Sequence, residues 1–256
     1  MSAETAEEGN LALILDEKGN SYLLHLTSGV VKVTGLGTVD SGRLIGRKWG
    51  ELVEIGGQGF TLIEPSLIDK IESIQRKAQI ILPKDSALIV LNCDIKSGSN
   101  VVEIGAGSGA LTIALASFVA PGGKVVSYEK RDDFADVARK NIRRTGLERY
   151  AQVKVADATA GIEERGIDSA VIDIPNPWDV VDNAYKALKL GGHLASYSPT
   201  FNQVELTVKK LRERGFSGVR SIETLLREIV VHDMGTRPSF DMLGHSGYLT
   251  FARKVK

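Results

Sequence analysis

VVEIGAGSGALT, residues 101–112, is the stretch on which the fold turns. A strand-like apolar run, NVVEI, leads into alternate glycines at Gly105, Gly107 and Gly109, and ALTIALASFVA follows with helical character. Glycine permits a sharp turn and a close ligand approach that a Cβ would block. The helix start beyond it offers free N–H groups to an acceptor. Three alternate glycines cost stability, so a bare turn without a ligand is the weaker account. The alternation continues downstream. KVVSYE, AQVKVA, SAVIDI and HLASYS read as strands, with DFADVARKNIRRTG, WDVVDNAYKALKLGG and NQVELTVKKLRERGF as helices. Such a pattern gives an α/β, doubly wound, Rossmann-like parallel sheet that binds ligands beyond the carboxyl ends of its strands. The tail, GVRSIETLLREIVVHD and GYLTFARKV, reads as a closing pair of long strands.

Acids stand at those strand ends. Gly105-x-Gly107-x-x-Ala110 fits the loose fingerprint of a dinucleotide site. Glu103, at the end of the first strand, opposes that reading: a carboxylate suits an ammonium or sulfonium better than a pyrophosphate. Glu129 closes the next strand, where an acid accepts hydrogen bonds from both ribose hydroxyls of an adenosine cofactor. Asp157 follows the third strand, either to bond an adenine amino group or to serve as a turn or N-cap acid. In VIDIPNPWDV, residues 171–180, Asp173 sits on an apolar run just before the chain breaks at Pro175 and Pro177. A buried unpaired carboxylate is costly, and a strand end opening into a cleft is where that cost serves chemistry. Trp178 reads as a packing anchor.

The sequence ahead of this domain differs. LALIL, SYLLHL, VVKVT, ELVEI and FTLIE are short β-like runs separated by the turn segments DEKGN, TGLGTVDSG and GGQG. Residues 1–64 are expected as a small β-barrel-like domain, 65–96 as a helical connector beginning PSLIDKIESIQRKAQ, and 97–256 as the ligand-binding domain. The 256 residues carry zero formal net charge and one cysteine, Cys93. An intrachain disulfide is therefore impossible and a cysteine-based metal site is not expected. No apolar run reaches a membrane span, the polar acidic start lacks a secretory signature, and the expected compartment is the cytoplasm. A neutral chain does not coat nucleic acid, so a polyanion must meet local patches.

VVEIGAGSG, Glu129 and Asp157 resemble the motifs of class I S-adenosylmethionine-dependent methyltransferases over roughly residues 97 to 200. RKAQIILPKDSALIV, IDIPNPW, ASYSPTFNQV and GHSGYLTFARK, with the small β domain in front, extend the resemblance over almost the whole chain. Together they look like the tRNA adenine-N(1) methyltransferases that modify T-loop position 58, and in archaeal members position 57 as well. The resemblance implies S-adenosylmethionine bound by Glu103, Gly105, Ala106, Gly107, Ser108, Gly109, Glu129, Asp157, Ala158 and Asp173. It implies Asp173 as the catalytic residue and substrate contacts from Pro175, Tyr197, Ser198, Pro199, Gln203 and His245. It also implies a tRNA partner and a homotetramer, without a metal or membrane. One departure is Leu82, which stands before Pro83-Lys84-Asp85 where many members carry an aromatic residue or histidine.

Adenine N-1 has an in-plane lone pair and attacks a sulfonium methyl without a nucleophilic side chain. Positive charge then spreads to the exocyclic amino group, where a carboxylate stabilises it and takes a proton. Asp173 is expected in that role, on a base flipped out of the folded RNA. Candidate RNA contacts are Arg43, Arg47, Lys48, Arg76, Lys77, Lys84, Lys209, Lys210, Arg212 and Arg214. Two other readings stay open. One is a non-catalytic RNA-binding subunit on the same fold. The other is a methyltransferase for another nucleic acid or a small molecule, to which IPNPW bears a faint likeness.

Overall fold

The computed structural model describes residues 4–256. Two compact units emerge: residues 1–74 with 141–147, and residues 75–140 with 148–256. The segment expected as a connector, 65–96, divides between them. Its first helix, α1 (Leu67–Glu72), is capped by Ser66 and Asp69 in a reciprocal capping box and belongs to the first unit. Its second, α2 (Pro83–Asn92), belongs to the other and starts with Pro83 at the position where a missing N–H costs nothing.

The first unit is built on β1 (Leu11–Asp16), β2 (Ser21–His25), β3 (Val30–Val33), β4 (Gly37–Asp40), β5 (Leu52–Ile55) and β6 (Gln58–Ile63). A four-stranded antiparallel sheet has the order β2-β1-β6-β5, and β3 pairs with β4 in a separate hairpin. Its core gathers Ile14, Leu24, Leu26, Val39, Phe60 and Leu62. The run TGLGTVDSG, expected as a turn, contains β4, because Val39 pairs with Val31 and is buried.

The second unit carries β7 (Asn100–Ile104), α3 (Ala110–Val119), β8 (Lys124–Glu129), α4 (Asp132–Arg144) as far as residue 140, β9 (Ala151–Val155) and β10 (Ile167–Ile172). Then follow α5 (Val181–Ala187), β11 (Leu188–Ser198), α6 (Phe201–Arg214), β12 (Phe216–Glu223), β13 (Ile229–His232), β14 (Gly235–Pro238) and β15 (Tyr248–Lys254). The seven-stranded sheet has the order β12-β15-β11-β10-β7-β8-β9. The pairs from β9 through β11 are parallel, while β15 runs antiparallel to both β11 and β12. The switch point therefore falls between β7 and β10, which are adjacent in the sheet although β8 and β9 lie between them in sequence.

Two expectations change. The tail is not two long strands: β12 ends at Glu223, and β13 and β14 form a separate hairpin. The helix expected through KALKLGG ends at Ala187, because β11 already begins at Leu188 and pairs with Ile167 of β10. α3 buries eight of its ten residues, consistent with its nearly unbroken apolar sequence.

Candidate active site

The ends of β7 and β10 build the site. The Asp173 N–H donates to the Ile104 carbonyl at 2.8 Å, so the chain beyond β10 runs against the glycine loop. A Cβ on Gly105 would stand 2.0 Å from the Asp173 carbonyl oxygen. Gly105 therefore admits the neighbouring strand end, rather than only the ligand approach expected from sequence. Gly107 (φ +53°) is different: a Cβ there would meet nothing within 4 Å, and the residue opens onto a cavity.

That cavity, about 350 Å³, is walled by Gly105, Gly107, Glu129, Asp157, Ala158 and Asp173, with Tyr128, Lys130 and Ile174. A second cavity of about 300 Å³ is walled by Ile80, Ile81, Pro175, Tyr197, Pro199, Gln203 and Ser246. Gln79, Asp173, Ile174 and Pro175 belong to both. Asp173 thus stands where the two cavities meet.

The electrostatics are those of a cation site. Burial, with Glu129 adding repulsion, pushes Asp173 up to about 7. Burial likewise raises Glu103 to about 8, although hydrogen bonds from Ser127 and Thr112 pull the other way. Glu103 lies beneath the loop, 1% exposed; its Oε2 accepts from Thr112 and Ser127, while Oε1 has no protein partner. Glu129 accepts from the Gly107 N–H at 3.0 Å and from the Arg131 N–H at 3.1 Å. Asp157 accepts from the Thr159 N–H and hydroxyl, holding the turn, and its residue lines the cavity.

Not every expected residue reaches a cavity wall. Glu103, Ala106, Ser108 and Gly109 lie outside the first lining. Ser108 instead accepts from the Lys77 N–H at 2.9 Å, tying the segment before Gln79 to the loop. Ser198 is fully buried with an unpartnered hydroxyl and lies outside the second lining. It is the residue after Tyr197 on β11, and successive strand residues point to opposite faces. Tyr197 donates to the Ser246 carbonyl, and burial raises its phenol to about 12, so it is a neutral wall and not a base. A Cβ on Gly247 would collide with that ring.

Several wall residues escaped the reading of single positions. Gln79, Ile80 and Ile81 stand within RKAQIILPKD, and Ser246 within GHSGY, so the motifs held them without giving them roles. Asp85 is fully buried; it pairs with Lys84 at 2.8 Å and accepts from the Ser246 hydroxyl at 2.9 Å. Lys84 also donates to Ser246 and to the Thr224 carbonyl, so it is an internal cation and not an RNA contact. Most other candidate contacts are paired: Arg43 with Asp40, Arg47 with Glu51, Lys77 with Asp133, Lys209 with Glu205, and Lys210 and Arg214 with Asp182. Among the described residues, no group of three or more His, Cys, Asp or Glu is placed to hold a metal ion.

Comparison with known proteins fits this geometry. The family model described as the tRNA methyltransferase complex GCD14 subunit matches residues 71–236. A Methanocaldococcus jannaschii protein named tRNA (adenine(57)-N(1)/adenine(58)-N(1))-methyltransferase TrmI is 38% identical, over 94% of each chain. Among solved structures, a Thermotoga maritima protein described as an SAM-dependent O-methyltransferase superposes with a TM-score of 0.88 at 35% identity, covering 100% of this chain and 97% of that one. The tRNA (m1A58) methyltransferase TrmI of Aquifex aeolicus superposes at 0.78 with 30% identity, over 98% and 99%. The family model spans both the glycine loop and Asp173, and the relatives align over nearly their full lengths: this chain belongs to the tRNA methyltransferase GCD14 family.

Proposed function

We propose that this protein is an S-adenosylmethionine-dependent methyltransferase that methylates N-1 of adenine 58 in the tRNA T-loop. The observation that carries the reading is Asp173, a carboxylate shared by the two cavities at the switch point of the sheet. The names of the archaeal and bacterial relatives support the substrate, and the archaeal one supports adenine 57 as a second target.

The first cavity fits the cofactor by its chemistry. Glu129 and Asp173 line it, Glu103 lies buried behind them beneath the loop with Oε1 lacking a partner, and the three carboxylates repel one another. A ligand bearing an ammonium and a sulfonium relieves that repulsion. Glu129 and Asp157 would hold the adenosine, and Gly107 would face the methionine portion. When bound, S-adenosylmethionine supplies an electrophilic methyl group. The chain's own residues do the rest. Tyr197, Pro199, Ile80 and Ile81 give the base apolar walls that exclude water. Asp173 accepts a hydrogen bond from the adenine amino group, stabilises the charge that develops on the ring, and holds the released proton. Guanine and pyrimidines that lack a donor at that place are rejected.

Several finer features belong to the same reading. The protein acts as a homo-oligomer, most simply a tetramer. Support comes from Leu225, Leu226, Ile229, Val231, Met234 and Phe240, large apolar side chains left exposed on and around the β13–β14 hairpin. Residues 1–64 form a β module that precedes the methyltransferase domain at 97–256 in the sequence, with 65–96 between them. The lone buried cysteine favours a cytoplasmic setting. Incubation with labelled S-adenosylmethionine and unmodified tRNA, then nucleoside analysis, tests the proposal. The expected product is 1-methyladenosine, lost on replacing adenines 57 and 58 together with guanine. Methylation of a hydroxyl, as the description of the Thermotoga maritima protein would have it, overturns the N-1 reading.

A further inference from the structure

An aromatic group stands next to the second cavity that the proposed chemistry does not use. Phe201, the first residue of α6, is 71% exposed. Its ring stacks on Tyr248, with centroids 4.5 Å apart and planes at 24°. His245 lies against the same tyrosine at 4.7 Å. His245 and Tyr248 lie together in GHSGY, but Phe201 comes from the start of α6, so sequence spacing did not bring the three together.

His245 is locked. Its Nδ1 lies 2.7 Å from Glu223 Oε1 and its Nε2 lies 2.8 Å from the Pro199 carbonyl oxygen. Both partners are acceptors, so only an imidazolium donates to both. The same two contacts raise the histidine above its ordinary value, Glu223 contributing most. Lys84 is the cation that opposes this, and Tyr248 is the other titratable group in contact. Pro199 and Gln203 also wall the second cavity. Gln203 closes the capping box with Thr200 and donates to the Pro175 carbonyl at 2.8 Å, which fixes the start of α6 beside the Asp173 loop.

We propose that Phe201, Tyr248 and His245 form a stacking platform for a nucleotide flanking the target adenine. A base leaving its stack exposes the faces of its neighbours, and an exposed aromatic ring replaces that lost contact without reading sequence. The contacts of His245 with Glu223 and the Pro199 carbonyl hold its ring against Tyr248 beside the mouth of the cavity, so the platform is fixed before the RNA arrives. This inference rests on the RNA reading above and extends it to how the flipped state is held.

The test uses full-length protein and a T-arm RNA hairpin with 2-aminopurine beside the target adenine. Wild-type protein quenches that fluorescence on binding, and Phe201→Ala loses the quenching. Phe201→Ala raises KM for tRNA on the order of tenfold, with kcat and S-adenosylhomocysteine affinity unchanged, and Phe201→Trp restores both signals. Equal quenching and KM in wild type and Phe201→Ala overturn the platform while the methylation reading stands. A Phe201→Ala variant that changes its mass by light scattering also overturns it, assigning the ring to a subunit contact. Wild-type protein that neither quenches the probe nor methylates any tRNA overturns both.

Discussion

Asp173 is the residue on which the chemistry depends. Its hydrogen bond to the substrate amino group strengthens only as charge develops, so its loss falls on kcat. Asp173→Ala is expected to bind S-adenosylhomocysteine as well as wild type in calorimetry and to lose roughly a hundred- to a thousandfold in kcat. Asp173→Asn fails as well, since an amide does not take the proton. Normal turnover by either variant would reduce Asp173 to a structural acid. Gly105 and Gly107, two residues apart, are expected to separate fold from binding. Gly105→Ala puts a methyl against the Asp173 carbonyl and destabilises the carboxyl ends of the central strands β7 and β10, so its melting temperature falls. Gly107→Ala meets no protein atom and keeps the fold apart from the modest cost of its left-handed backbone, but weakens cofactor binding in the same calorimetry. A tightly binding Gly107→Ala would show that the ligand passes elsewhere.

At the scale of elements, the alternating half of the chain was legible because each parallel strand is a short apolar run ending in a distinctive turn. Asp173, Glu129 and Asp157 could be placed by that logic alone, since strand ends at a switch point share one cleft. What was not legible depended on long-range partners. β4 hid in a glycine-rich stretch because only its pairing with β3 makes it a strand. Ser198 was expected beside Tyr197, and the pleat turns it into the interior. Lys84 was expected to contact RNA, but it pairs with buried Asp85, whose other partner Ser246 lies 161 residues beyond. That pair joins α2 to the segment before β15. Removing one member strands the other charge, so Asp85→Ala is expected to cost about 3–5 kcal/mol in denaturant unfolding. The double variant Asp85→Leu with Lys84→Met should recover most of that loss. A single variant as stable as wild type would show the pair to be hydrated and expendable.

The molecule as a whole is neutral, yet its cofactor cavity concentrates carboxylates whose ionisation the free protein resists. Asp173 rises to about 7 and Glu103 to about 8, both chiefly by burial. For an acid raised on folding, the stability it contributes is complete below its unfolded value near 4 and is lost as pH climbs through the folded value. The free protein therefore loses stability between about pH 5 and 8, and Asp173→Asn should melt higher than wild type at pH 8 but not at pH 5. A cationic ligand reverses the sign, because it favours the ionised carboxylates and its binding expels their protons. Affinity for S-adenosylmethionine is expected to rise from pH 6 to 8, by at most about tenfold per pH unit for each proton released. S-adenosylhomocysteine lacks the sulfonium charge and should show a shallower slope, and Asp173→Asn should bring the two slopes together. Calorimetry in buffers of different ionisation enthalpy counts the protons directly. Identical slopes for the two ligands in wild-type protein would mean that the carboxylate between the cavities does not sense the sulfonium, and the placement of the methyl beside Asp173 would fall with it.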